Sequence, residues 1–374
     1  MMKKTVIIGA GILGASVGYE LAKQGALVTI VDREDLGQAT KAAAGIICPW
    51  ISQRRNKRWY RLAMEGAKYY PTLIDELKAC GEKNTGYKKV GAISPNDNIE
   101  KLEAMVKRTL KRKEEAPEIG EVTILSEQES KTLFPPLADG YQSVHVSGAA
   151  RVDGWALRNS LISAAKKLGA QVIKDDCSLL MENGRVFGIK TAHEDIIADE
   201  VIITAGVWAN ELLSPLELSI DLSFQKGQII HLQMPGLNSD DWPVVMPPHD
   251  QYLLSLNGNR IVIGATHEND EELDYRLTIG GMKEIMDKAL KFAPGLLNST
   301  FLEAKVGFRP FTADFLPIFG RIPGQDKVIF ANGLGASGLT MGPFLGQQLA
   351  SLALDKELII PAADYSLDEF ISGK

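Results

Sequence analysis

Three glycines, Gly9, Gly11 and Gly14, stand in the spacing G-x-G-x-x-G, and an acid, Asp32, closes the next hydrophobic run. Residues of these types at this spacing can hold a dinucleotide. Gly9 permits a tight turn, Gly11 lets the backbone approach a pyrophosphate, and Gly14 lets a helix lie close to a strand. A carboxylate at the end of the following strand can accept the ribose hydroxyls. Arg33 would suit a 2′-phosphate, but reads better as a solvated neighbour of the adenosine. A second glycine group, Gly333, Gly335 and Gly338, precedes a helix expected to start near Pro343. Free N–H groups and the positive end of that helix could stabilise negative charge on a reduced flavin ring. Arg309, between a strand and Pro310, carries a planar fork that matches a carboxylate. His249 and His267 are candidate amine-side or access residues, and Cys48 reads as an inert buried thiol.

These residues need elements to place them. Thr5 to Ile8 reads as a buried strand, and Ile12 to Lys23 as a helix ended by Gly25. The helix N-terminus offers free N–H groups to phosphates. Residues 37–50 are dominated by small side chains, against which something large and flat can lie. The basic and aromatic run 54–61 and the charged helix 99–116 read as solvated helix faces. Residues 152–173 predict a helix and a strand, "ENGRVFGIKT" a hairpin, and Val201 to Thr204 a buried strand broken at Ala205-Gly206. From 218 to 267 the pattern becomes short strands with turns, including Asn257-Gly258, which predicts an antiparallel sheet.

The expectation is an α/β fold: a discontinuous Rossmann-like nucleotide domain plus a substrate domain with a large, mostly antiparallel sheet and flanking helices. The nucleotide domain is assigned 1–85, 140–217 and 305–374, and the substrate domain 86–139 and 218–304, with a ligand at their border. A chain of 374 residues favours two domains. A net charge of −6 argues against a nucleic-acid binder. Cys48, Cys80 and Cys177 lack zinc-ligand or redox-pair spacing, and so sparse a set fits a reducing, cytoplasmic compartment. No apolar run reaches the length of about 18 residues expected of a spanning helix. Homo-oligomerisation and peripheral membrane attachment stay open.

The stretches "VIIGAGILGASVGYELAKQGALVTIVDRE", "KAAAGII", "IITAGVWA", "IVIGAT", "GFRPFTADFLPIFG" and "NGLGASGLTMGP" resemble the D-amino-acid oxidase family of FAD enzymes, in its glycine oxidase and D-amino-acid dehydrogenase branch. They are spread over nearly the whole length, with the weakest match between about 80 and 150. The resemblance implies noncovalent FAD, since no cysteine follows Arg309 where the covalent branch carries one. It implies FAD contacts at Gly9, Ile12, Leu13, Asp32, Arg33 and Thr40, and at Ala44, Gly45 and Ile46. Ser178 is expected at the adenine side and Gly206 beside the cofactor. Gly333 to Thr340 should border the flavin, with Gly338, Leu339 and Thr340 nearest. It makes Arg309 the carboxylate-binding arginine and Tyr252 a second residue that hydrogen-bonds the substrate carboxylate. Where glycine oxidase has a further arginine, this chain has Ala336, which opens space for a bulkier or N-substituted amino acid.

The implied activity is oxidation of the C–N bond of a small amino acid (a D-amino acid, glycine, sarcosine or a proline type). Hydride would pass to flavin N5, and O₂, a quinone or another carrier would be the acceptor. Two alternatives stay open: an FAD-dependent 2-hydroxy acid dehydrogenase, using His249 or His267 as base, and a flavoprotein subunit of a larger complex.

Overall fold

The computed structural model describes residues 2–269 and 272–373. Its first sheet has six strands in the order Ile318–Ile322, Gln325–Asn332, Glu200–Ile203, Lys4–Ile8, Leu27–Asp32 and Gln171–Lys174. The last five run parallel, and Ile318–Ile322 is an antiparallel edge. Glu200–Ile203 is buried at every residue, and Lys4–Ile8 at all but its first, as a parallel sheet covered on both faces requires.

Helix Ile12–Lys23 is buried from Ile12 to Ala22, which fits its nearly unbroken apolar sequence. It packs against helix Gly154–Lys167 and the C-terminal helix Gly338–Ala353. The approach is close: a Cβ on Gly346 would stand 2.5 Å from Ser16 Cβ. The C-terminal helix starts at Gly338, earlier than the expected position near Pro343. Pro343 lies inside it, and proline lacks the N–H that would bond the carbonyl four residues back, at Leu339. The Tyr70 hydroxyl donates to that carbonyl instead, at 2.5 Å.

The second sheet has eight strands in the order Thr300–Phe311, Ser223–Gln233, Arg260–Gly264, Tyr252–Leu256, Val244–Val245, Ala92–Asn96, Gln142–Val146 and Val122–Leu125. It is antiparallel except where Val244–Val245 meets Ala92–Asn96. Sheet membership thus carries 142–146 and all of 300–311 into the large sheet, beyond the expected boundaries at 140 and 305. Arg309 lies within a strand, not after one, and Pro310 is tolerated because that strand is an edge.

The two sheets are joined just after Asp32. Phe308 donates its N–H to the Gly37 carbonyl at 2.9 Å, and a Cβ on Gly307 would stand 2.8 Å from Ala42 Cβ. The charged helix, Ile99–Lys113, is more than a solvated face. Arg112 donates to the carbonyls of Trp50 and Ser52, and Arg108 to that of Ile51. These bonds hold the turn Pro49–Ile51, whose carbonyls lack sheet partners. No described helix is long and apolar enough to cross a membrane.

Candidate active site

The first glycine group does what its spacing requires. Gly9 sits at φ +95° and donates to Val31 at 2.8 Å, and a Cβ there would be 2.7 Å from the Thr204 carbonyl oxygen. A Cβ on Gly14 would be 1.9 Å from the Gly9 carbonyl oxygen, so strand and helix could not keep their spacing. Asp32 is held by three donors: Ala10 N–H and Glu34 N–H at 2.5 Å each, and Gln38 Nε2 at 3.0 Å. Thr40 Oγ1 accepts the Ile12 N–H at 3.0 Å, docking the following loop on the helix start.

A cavity of about 330 Å³ opens above this turn. Gly9, Gly11, Ile12, Leu13, Asp32 and Arg33 line one side. Thr40, Ser178, Gly206, Gly335 and Gly338 complete the expected set around it. Arg33 is not merely a solvated neighbour. It pairs with Asp35 at 2.8 Å, Glu211 at 3.0 Å and Asp176 at 3.5 Å, so its charge is engaged and a 2′-phosphate finds no open cation there.

A second cavity, of about 370 Å³, continues from the first and shares Ile12, Ala39, Thr40, Gly335 and Gly338 with it. Ala44, Gly45, Ile46, Leu339 and Thr340 form one wall, and Tyr252, Arg309, His267 and Asp250 stand on the large-sheet side. Gly14 and Gly333 line neither cavity; Gly14 lets the first helix lie close to the glycine turn, and Gly333, at φ +80°, shapes the turn after Asn332. His249 also lines neither. It stacks edge-on against Phe292 and accepts the Gln251 N–H at Nδ1, 3.1 Å away.

Arg309 donates to Gln225 Oε1 at 3.1 Å and to the Thr266 carbonyl at 3.4 Å. It lies over Gly227, where a Cβ would be 2.5 Å from its terminal nitrogen. No described carboxylate forms an ion pair with it. Burial pushes the Tyr252 hydroxyl up to about 12 against the pull of Arg309, so it stays a donor at neutral pH. Burial, then the Arg309 charge, draws the His267 imidazole below its usual value, with Asp250 pulling the other way. His267 Nδ1 is 3.6 Å from Asp250 Oδ2, and Lys288 Nζ lies 3.1 Å from both Asp250 oxygens. Burial raises the Asp250 carboxyl, but Lys288 and His267 more than offset it.

Across the cavity, the first turn of the C-terminal helix presents the N–H groups of Gly338, Leu339 and Thr340, which have no intrahelical partner. Thr340 Oγ1 donates to the Ile46 carbonyl at 2.9 Å and fixes that turn against the small-residue loop. Cys48 and Cys177 each line a cavity, and burial pushes both thiols up to about 12, which keeps them protonated.

Sequence reasoning missed Arg158. It is buried on helix Gly154–Lys167, donates to the Ala10 carbonyl at 2.7 Å and stacks on Trp155 at 4.8 Å, placing a positive charge behind the first glycine turn. Asp250 was missed as well; its proximity to His267 and Lys288 across the fold leaves no mark in local spacing.

The family model described as "FAD dependent oxidoreductase" (DAO) matches residues 4–352. The chain belongs to the DAO family of FAD-dependent oxidoreductases. Among DAO proteins it is 58% identical over 365 residues to the uncharacterized oxidoreductase YurR of Bacillus subtilis (strain 168), covering 97% of this chain and 98% of that one. Among solved structures, iminodiacetate oxidase (IdaA) from Chelativorans sp. BNC1 superposes with a TM-score of 0.94 at 43% identity, covering 97% and 98% of the two chains. Glycine oxidase from Geobacillus kaustophilus gives 0.84 at 26%, covering 98% and 99%.

The walls of this DAO protein fit FAD. A Cβ on Gly206 would meet nothing within 4 Å and would project into the cavity, and on Gly11 it would meet only Thr40 Oγ1, at 3.5 Å. On Gly338 the nearest atom is Leu334 Cβ at 3.8 Å. These glycines keep clear the space that a dinucleotide and its ring would fill. Noncovalent attachment agrees with the protonated thiols and with the absence of a cysteine after Arg309.

Proposed function

We propose that this protein oxidises the C–N bond of a small α-amino acid, giving an imino acid that water converts to a 2-oxo acid and an amine. The observation that carries this reading is the pairing of Arg309 with Tyr252 on one wall of the second cavity, facing the free N–H groups of Gly338 to Thr340. FAD, when bound, supplies the two-electron acceptor for the hydride that leaves the α-carbon.

The chain's own residues bind and orient. Arg309 takes the substrate carboxylate with its planar fork, held in place by Gln225 and Thr266. The protonated Tyr252 hydroxyl donates a further hydrogen bond to the same carboxylate. Asp250 attracts the substrate ammonium, and the neutral His267 imidazole beside it accepts the proton that must leave before the nitrogen lone pair can assist hydride departure. The N–H groups of the C-terminal helix face the region where negative charge gathers on reduction.

Ala336 lines the same cavity without a charge, which favours an N-substituted or bulkier amino acid over glycine. The match to iminodiacetate oxidase, whose named substrate is a secondary amine, supports the N-substituted reading, and the oxidase names of the structural relatives support O₂ as acceptor. The 2-hydroxy acid reading is not favoured: His249 lies outside both cavities, and although His267 lines the second, the relatives' names point to amines.

Anaerobic mixing with glycine, sarcosine, proline, D-amino acids, iminodiacetate and 2-hydroxy acids tests the reading. Bleaching of the flavin by an N-substituted amino acid is the expected result, with colour returning on admission of air. Bleaching by hydroxy acids alone would overturn it.

A further inference from the structure

One cation beside the second cavity has no task in the chemistry above. Arg54 precedes Asn56, the N-cap of helix Lys57–Ala79. Its guanidinium carbon lies 4.7 Å from the centre of the Trp59 ring and 6.0 Å from that of Phe315. Trp59 is buried and, with Ser52, lines the second cavity. Phe315 is half exposed and stacks on Phe311 at 4.8 Å. Arg54 is itself exposed and does not line the cavity, but it lies over the ring of Trp59, which does.

Of the nearby basic residues, Arg58, Arg108 and Arg112 are engaged, and Arg54 differs from Arg55, Lys57 and Arg61 in lying over aromatic rings. Arg58 donates to the Asp364 carbonyl, and Arg108 and Arg112 donate to the carbonyls of residues 50–52. Arg54 uses only its backbone N–H, on Ser52 Oγ at 3.2 Å. No described carboxylate pairs with its guanidinium, and no described acceptor takes its side-chain N–H groups. A guanidinium held against aromatic rings keeps its donor edge in its own plane, free for an anion. The aromatic contacts also restrict the side chain beforehand, so less freedom is lost when an anion arrives.

We propose that Arg54 binds a second anionic group of the substrate, which makes the preferred substrates amino acids with two acidic groups, the outer one carried on the N-substituent or the side chain. The proposal rests on the amine-oxidation reading. Arg309 would take the carboxylate next to the reacting carbon, and Arg54 the group that projects past Trp59. Trp59 lines the cavity together with Arg309 and carries Arg54 on its ring, so the indole offers an apolar surface to the connecting methylenes.

The test compares wild type with R54Q and R54K holoenzymes. Calorimetric binding of thiodiacetate, a diacid without an oxidisable amine, is set against that of methylthioacetate, its monoacid counterpart. KM values for iminodiacetate are set against those for sarcosine. The ratio of diacid to monoacid affinity should fall about 30-fold in R54Q, the scale of one charge-assisted hydrogen-bond pair, and by less in R54K, which keeps charge but not the fork. An unchanged ratio, or equal weakening of both ligands, would overturn the proposal. Should no amine bleach the flavin, the amine-oxidation reading fails, while the calorimetric ratio still decides the role of Arg54.

Discussion

Arg309 is set apart from the other arginines of the site by what surrounds it. Arg33 has three carboxylates and Arg158 a backbone carbonyl at close range, whereas Arg309 has an amide oxygen, a distant carbonyl and an open cavity. A guanidinium so placed has hydrogen-bonding capacity left for a substrate. Arg309→Ala should raise KM by about 100-fold, on the order of 3 kcal/mol, as expected for a lost charge-assisted pair. The bound flavin spectrum should stay as in the wild type, because Arg309 lines the second cavity and not the one above the dinucleotide turn. An unchanged KM in steady-state assays would remove it from this role. The glycines and Asp32 were legible from spacing alone, because each answers a local backbone demand. Arg309 could be picked out by its guanidinium fork beside Pro310 and by resemblance, whereas Tyr252 came only through resemblance, because a lone tyrosine in a sheet carries no periodic signature. Arg158, Asp250 and Gln38 were not legible, since their partners are fixed by tertiary placement.

At the scale of elements, the C-terminal helix shows how a break in one rule is repaired from elsewhere. Pro343 releases the Leu339 carbonyl inside the first turns, next to residues that line the second cavity, and Tyr70 from helix Lys57–Ala79 supplies the missing donor. The expected helix start near Pro343 followed the preference of proline for first turns. The sequence could not reveal a tyrosine, far away in the chain, that lets the helix begin earlier. Tyr70→Phe keeps the ring and its stacking on Tyr87 but leaves a buried carbonyl without a donor. It should destabilise the protein by about 1–3 kcal/mol, read as a lower Tm, and weaken FAD retention on dilution. A Tm equal to the wild type would show that this bond contributes nothing. The hairpin expected around "ENGRVFGIKT" followed local pattern and is present, closing at Asn183-Gly184.

For the molecule as a whole, acid is the condition to which one buried group responds most clearly. His231, in the second strand of the large sheet, is 5% exposed, and neither ring nitrogen has a hydrogen-bond partner. Burial, with help from the charges of Lys305 and Arg260, draws its pKa down to about 3. Glu303, 4.0 Å away, does not compensate because Arg260 engages it. The unfolded chain takes up a proton near pH 6.5, which the folded state refuses until about pH 3. Stability from this group is therefore complete above pH 6.5 and falls as pH drops through that window. His231→Leu should flatten the acid limb of a Tm-against-pH curve between about 6 and 4. A limb of unchanged slope would place the acid sensitivity elsewhere.

The helix whose tip lines the second cavity spans 338–353, yet it packs on the helix at 12–23. During synthesis, the pyrophosphate turn leaves the ribosome with more than three hundred residues still to follow. Until the final helix emerges, the nascent chain has one half of a grip and an apolar groove waiting for the other. A grip on the vitamin-derived cofactor from both helix tips therefore needs the chain to have been made through residue 353.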